Sequence, residues 1–131
     1  MIRRRTKCPA EMTLSVIGGR WKVPILYHLS HGVKRFSELQ RSMNGVTQKV
    51  LTHQLREMER DGILHREVFA QVPPKVEYSL TRWGKSLKPV IDAMCEWGSL
   101  FAKGKQPQNS MEFPLPPSTL QRKTEAKEIR Q

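Results

Sequence analysis

Between Val46 and Gly62 the chain reads VTQKVLTHQLREMERDG, about four helical turns whose polar residues differ in kind as well as in number. At ~100° per residue, Leu51, Leu55 and Met58 fall on one stripe with Val50 at its edge, while Lys49, Thr52, His53, Arg56 and Arg60 project from the other side. Lys49 and Arg56 have the donors to meet guanine O6 and N7, and the Gln48 amide has the donor and acceptor to pair with adenine. Glu57, Glu59 and Asp61 gather towards the far end of the segment. Such a face is either a solvated surface or a reader of base edges. The neighbouring elements have to decide between them.

Cys8 stands just before Pro9, at the expected N-cap of a helix, with Arg3, Arg4, Arg5 and Lys7 close in sequence. A helix N-terminus and nearby cations both favour the thiolate, the reactive form of cysteine. Cys8 is therefore a candidate sensor of oxidants or electrophiles, set against the plainer reading of a small, inert, half-buried residue. Cys95 falls beside an apolar stripe in the last helix and is read as structural. His28 and His31 are three apart on one expected helix, but no third ligand at sensible spacing, no CxxC and no HExxH accompanies them. His31, beside Gly32, is expected to meet the helix C-terminus instead. No metal or other cofactor is expected. Gly18-Gly19 lead into a helix without a P-loop continuation, and no Ser/His/Asp set stands out, so no enzyme is expected either.

Composition narrows the partner. In 131 residues, 23 Lys and Arg face 12 acids, for a net charge of +11. A small protein this basic repels itself, which points to an anionic partner. The charge is unevenly placed. The first seven residues carry four cations and no acid, and residues 20–41 and the tail from Lys103 are also basic, whereas 47–75 is close to neutral. If the 46–62 helix meets nucleic acid, it reads shape or base edges while flanking segments supply phosphate contacts. Two cysteines far apart make no disulfide framework and suit a reducing compartment. MIRRRTKCPAEM has no apolar core of a signal peptide, and no apolar run approaches the ~20 residues of a membrane span. A soluble cytoplasmic protein without membrane contact is expected.

The elements around the candidate face follow from the chain. A helix is expected from Pro9 to Ile17, closed by Gly18-Gly19, and another from Arg20 or Trp21 to Ser30, burying Trp21, Ile25, Leu26 and Leu29. Pro24 is tolerable there only in the first turn. Ser37 with Gln40 three residues on forms a capping-box pattern, Asn44-Gly45 a tight turn, and Thr47 an N-cap. Two short helices so joined have the layout of a helix-turn-helix. ILHREVFA and KVEYSLT then read as strands joined by QVPPK, a small β-hairpin or wing. From Thr81 a longer helix follows, with Pro89 kinking it or marking its effective start. Residues 103–118 are a polar, Pro-rich linker by composition, and 119–131 could form a short exposed helix.

These segments resemble a known family. CP before the first helix, GGRWK, RFSEL, TQKVLTHQLREMERDG, PPKVEYSLT, and a G, an L and a W in order in the last helix are similar to HxlR-type transcriptional regulators, a branch of the MarR-like winged-helix proteins. The resemblance covers residues 8–98. It implies a mainly α fold with a small β-hairpin, and a homodimer formed by the first and last helices. The 46–62 helix would then lie in the major groove of double-stranded DNA. It implies recognition positions at Thr47, Gln48, Lys49, Thr52, His53 and Arg56, with Pro74 and Lys75 in the wing. Some members sense oxidants or electrophiles through the cysteine of the CP motif.

The expected organisation is a basic arm at 1–7, a winged helix-turn-helix at 8–102 and an extension at 103–131. Arg35, Ser37 and Lys75 suit phosphate contacts. The expected function is sequence-specific DNA binding by a homodimer on an inverted-repeat operator, with a small-molecule or oxidant effector, the latter acting through Cys8. The rivals are a winged helix serving structured RNA or a protein partner, and a redox enzyme built on Cys8. Target genes, the sign of regulation and the inducing signal are not written in the chain.

Overall fold

The computed structural model describes residues 8–105. The basic arm at 1–7 and most of the extension, including the expected helix at 119–131, lie outside the described residues. α1 (Pro9–Ile17) starts on its proline, whose missing N–H costs nothing at a helix entrance, and ends where the Gly18 amide donates to the Leu14 carbonyl at 2.7 Å. α2 (Lys22–Ser30) keeps Pro24 in its first turn, as expected. Its buried residues are Ile25, Leu26, Leu29 and, against expectation, Lys22. Trp21, expected in that buried stripe, is the N-cap and only half-buried, with the Arg20 guanidinium 4.5 Å from its ring centre.

β1 (Lys34–Arg35) leads into α3 (Phe36–Ser42). The capping expectation at Ser37 and Gln40 is corrected by two residues: Arg35 is the N-cap, and its backbone N–H donates to Glu38 Oε1 at 3.2 Å. Ser37 therefore lies inside the first turn. The Asn44-Gly45 turn is as expected, with Gly45 at φ 85°, a conformation that a side chain disfavours. Thr47 then caps α4 (Gln48–Arg60), its hydroxyl accepting from the Val50 amide at 3.1 Å.

β2 (Leu64–Phe69) and β3 (Lys75–Leu80) form the expected hairpin, in antiparallel register from Leu64 opposite Leu80 to Phe69 opposite Lys75. β1 adds to the far edge of β3, with Lys34 opposite Tyr78, so the sheet has three strands in the order β1-β3-β2. Two residues are too few to leave a readable alternation in the sequence. The single helix expected from Thr81 is instead two, α5 (Arg82–Ser86) and α6 (Lys88–Ala102). Pro89 falls in the first turn of α6, where it has no amide to lend to a continuous helix.

The chain divides into two compact units, one up to Cys95 and one from Glu96 onward. In the first, Ile25, Leu39, Leu51, Leu55, Met58 and Leu64 are almost wholly excluded from solvent and form the centre of the core. In the second, the Trp97 and Phe101 rings stack 4.9 Å apart at 12°. Not all apolar side chains are inside: Met12 and Leu14 on α1 and Met94, Trp97 and Phe101 on α6 are exposed. Among the described residues no helix is long and apolar enough to cross a membrane.

Candidate nucleic-acid interface

α4 is amphipathic for the reason its sequence announces: Leu51, Leu55 and Met58 face the core, and the residues between them cannot. Thr47, Gln48, Lys49, Thr52, His53 and Arg56 line one open concave surface, joined by Val50 and by Gln54, which periodicity alone does not single out. Gln48, Lys49, His53 and Arg56 are exposed. Thr52 is half-buried, and its hydroxyl donates to the Gln48 carbonyl at 2.7 Å. Its oxygen is thus tied to its own helix, and its methyl group is the freer part.

In the sequence Glu57 is one of several acids at the far end of the helix. The structure makes it a bridge. Glu57 Oε1 lies 2.8 Å from His53 Nε2, and Glu57 Oε2 lies 2.6 Å from Lys22 Nζ on α2. The Lys22 hydrogen bond, opposed in part by burial, is the main cause that holds the Glu57 carboxyl below its ordinary value of 4.5. Lys22 is only 8% exposed, so its ammonium needs this partner. Nothing in the spacing of residues 22 and 57 predicts the pair.

Acid should therefore destabilise the fold in two steps. A carboxyl depressed in the folded state adds stability that is present above 4.5 and is lost as pH falls through its lower folded value. His28 on α2 is held below 6.5, first by burial and then by the charges of His31 and Lys34. The unfolded chain takes up that proton first, so stability falls as pH drops from 6.5 towards the folded value. Denaturant midpoints measured from pH 8 to about pH 2 should decline through both windows. His28→Gln should flatten the upper one and Glu57→Gln the lower.

The other expected contacts are placed less uniformly. Arg35 is exposed on β1 opposite Glu77, and Ser37 is exposed in the first turn of α3. Pro74 is exposed at the base of the hairpin loop. Lys75 is half-buried: its ammonium lies 2.8 Å from Glu77 Oε1 and 5.0 Å from the centre of the Phe69 ring. A phosphate contact from Lys75 would first have to release Glu77. Arg66 on β2, not among the residues expected from sequence, lines a cleft of about 170 Å³ with Thr52, Arg56 and Glu59. Its register partner Tyr78 is buried beside it. A basic residue in a strand of mixed charge gives no such signal from sequence alone.

A family model described as HxlR-like helix-turn-helix matches residues 16–106. The chain belongs to that family. Over 94 residues, 72% of this HxlR-like chain and 73% of the relative, it is 57% identical to the uncharacterized HTH-type transcriptional regulator YdeP of Bacillus subtilis. Its fold is similar to the redox regulator HypR in its oxidized form, at 58% identity and a TM-score of 0.67, covering 70% of this chain and 95% of that one. It is similar as well to the reduced form of the transcriptional regulator YodB from B. subtilis, at 34% identity and a TM-score of 0.66, covering 77% and 100%. The HxlR-like protein is thus a transcriptional regulator with a helix-turn-helix DNA-binding domain, and not an enzyme.

In this HxlR-like regulator Cys8 is the N-cap of α1, as expected, and is exposed; its carbonyl accepts from the Glu11 amide at 3.0 Å. Cys95, expected beside the apolar stripe, is exposed on α6. His31 Nδ1 lies 2.9 Å from the Tyr27 carbonyl in the last turn of α2, which is the helix-terminus contact expected of it. Among the described residues no three His, Cys, Asp or Glu side chains gather where they could hold a metal ion.

Proposed function

We propose that this HxlR-like regulator reads an inverted-repeat operator as a homodimer in the cytoplasm. The observation that carries the reading is the outer face of α4, where Gln48, Lys49, His53 and Arg56 stand exposed beside a Thr47 cap, with the half-buried Val50 the one apolar residue among those that line it. Base edges are met by the N-terminal part of the second helix in a helix-turn-helix, where Gln48 and Lys49 stand, with His53 and Arg56 following on the same face one and two turns on. Arg35 and Ser37, exposed at the entrance to α3, serve as phosphate contacts; Pro74 and Lys75 belong to the wing. Met12 and Leu14 on α1 and Met94, Trp97 and Phe101 on α6 are exposed apolar side chains of the kind a partner subunit would cover. They supply the dimer interface, and two-fold symmetry would set the recognition helices about 34–36 Å apart, or a multiple of that. Residues 8–102 constitute the DNA-binding unit, with the arm at 1–7 and the extension at 103–131 flanking it.

Selection of genomic fragments by the purified protein at physiological salt tests this. Enrichment of a short inverted repeat supports the operator reader. Retention without a shared motif would leave a charge-driven binder and turn attention to RNA or protein partners.

We further propose that Cys8 senses oxidants or electrophiles. Its exposure at the N-cap of α1 supports this, as does the similarity to HypR, which is described as a redox regulator. Wild type should change its DNA affinity on treatment with diamide, and Cys8→Ser should not. Identical behaviour of the two proteins with and without diamide would remove Cys8 from the mechanism.

A further inference from the structure

Among the recognition candidates, His53 has a ring whose hydrogen-bonding sense is set by a neighbouring side chain. Its ring is about two-thirds exposed, its side chain being 66% accessible, yet one nitrogen is already committed: Nε2 lies 2.8 Å from Glu57 Oε1. An ionised carboxylate only accepts hydrogen bonds. Glu57 is kept ionised by Lys22, whose ammonium is 2.6 Å from the other carboxylate oxygen and is itself buried on α2. The proton on a neutral His53 ring must therefore sit on Nε2, which leaves Nδ1 with a lone pair. A lone pair cannot meet guanine O6 or a purine N7, which are acceptors too. In the major groove it can meet the exocyclic amino groups, N6 of adenine and N4 of cytosine.

We infer that Glu57, anchored by Lys22, sets the neutral His53 ring to accept a hydrogen bond from the amino group of adenine or cytosine rather than to donate to a purine N7. Glu57 and Lys22 are positioning residues for base reading and touch no base. The inference rests on the DNA-reading function proposed above and names the chemistry of one contact within it. Replacing Glu57 by glutamine inverts the logic. The amide oxygen stays with the Lys22 ammonium, and the amide N–H₂ turns to His53 Nε2, which must then accept, so that Nδ1 carries the proton.

The experiment starts from the operator selected by the wild type and the base pair whose preference His53→Ala flattens. That pair is rebuilt with purine in place of adenine or 2-pyrimidinone in place of cytosine, which deletes the amino group. It is rebuilt separately with a 7-deazapurine, which deletes N7. The wild type should lose roughly three- to tenfold in affinity without the amino group and nothing without N7. His53→Ala should be indifferent to both changes. Glu57→Gln should lose its sensitivity to the amino group at that pair alone, and Lys22→Arg, which keeps the cation, should retain it.

The inference is overturned if His53→Ala flattens no position, if the wild type tolerates loss of the amino group, or if Glu57→Gln weakens all sequences equally. Should Glu57→Gln not fold, the wild-type and His53→Ala arms still decide. Absence of any shared motif in the selection would remove the operator reading and this contact together. A motif without amino-group dependence would remove only the contact.

Discussion

Gly84→Ala should destabilise the regulator by about 3 kcal/mol, at the upper end of the usual cost of overpacking. The effect comes from close approach rather than from backbone freedom. Gly84 is buried in α5, and a β-carbon there would be driven into the Ile63 carbonyl oxygen, with Leu80 Cβ at 3.2 Å and Cδ2 at 3.1 Å. The Ile63 oxygen cannot give way cheaply. It already accepts from the Thr81 amide at 3.1 Å and from the Thr81 hydroxyl at 2.9 Å. That hydroxyl also reaches the Gly62 carbonyl at 2.5 Å and accepts the Gly84 amide at 3.2 Å. Thermal unfolding should show a midpoint lowered by roughly 12–24 °C, given ~4–8 °C per kcal/mol for a domain of this size. Lys85→Ala is the control. Its side chain is exposed on the same short helix, so alanine there should be close to neutral. Equal midpoints for Gly84→Ala and wild type would mean that α5 and Ile63 separate easily.

Arg56→Ala, and separately Lys49→Ala, should weaken operator binding by roughly 10- to 100-fold, the range of a good base contact. Each should relax preference at its own position and leave binding to unrelated DNA nearly unchanged. Both side chains are exposed on α4 and neither belongs to the core, so the folding midpoint should hardly move. Arg35→Ala provides the contrast. If Arg35 meets a phosphate as proposed, removing that cation from β1 should lower affinity for all sequences alike and reduce the salt slope by about one ion. Titrations of selected and scrambled operators over a range of salt separate the two patterns. A uniform drop for Arg56→Ala would make α4 an electrostatic surface and not a reader.

How far the sequence discloses this molecule depends on whether the deciding interactions are local. α1, α2, α4 and the hairpin are legible because each rests on periodicity, a cap or a turn a few residues away, as with Thr47 and Val50 or Asn44-Gly45. The cap of α3 is misleading in sequence because Ser37 is a good capping residue, yet Glu38 reaches back to the Arg35 amide and sets the helix start two residues earlier. β1 is invisible because two residues carry no pattern, and their strand character comes only from pairing with Tyr78 and Glu77. The outer face of α4 is legible as a set of residues and not as an arrangement. Lys22 and Glu57 are 35 positions apart, and only the packing of α2 against the core brings the ammonium to the carboxylate.

That last pair bears on how such regulators could be re-engineered. Exchanging α4 between two of them moves His53 together with Glu57, since both are on the transplanted segment. It leaves residue 22 behind, on a helix that no one designing a swap would think to alter. A donor helix placed opposite a neutral residue 22 would arrive with its carboxylate untethered. On the contact proposed for His53, the portable unit of specificity would be a helix plus one lysine from its neighbour.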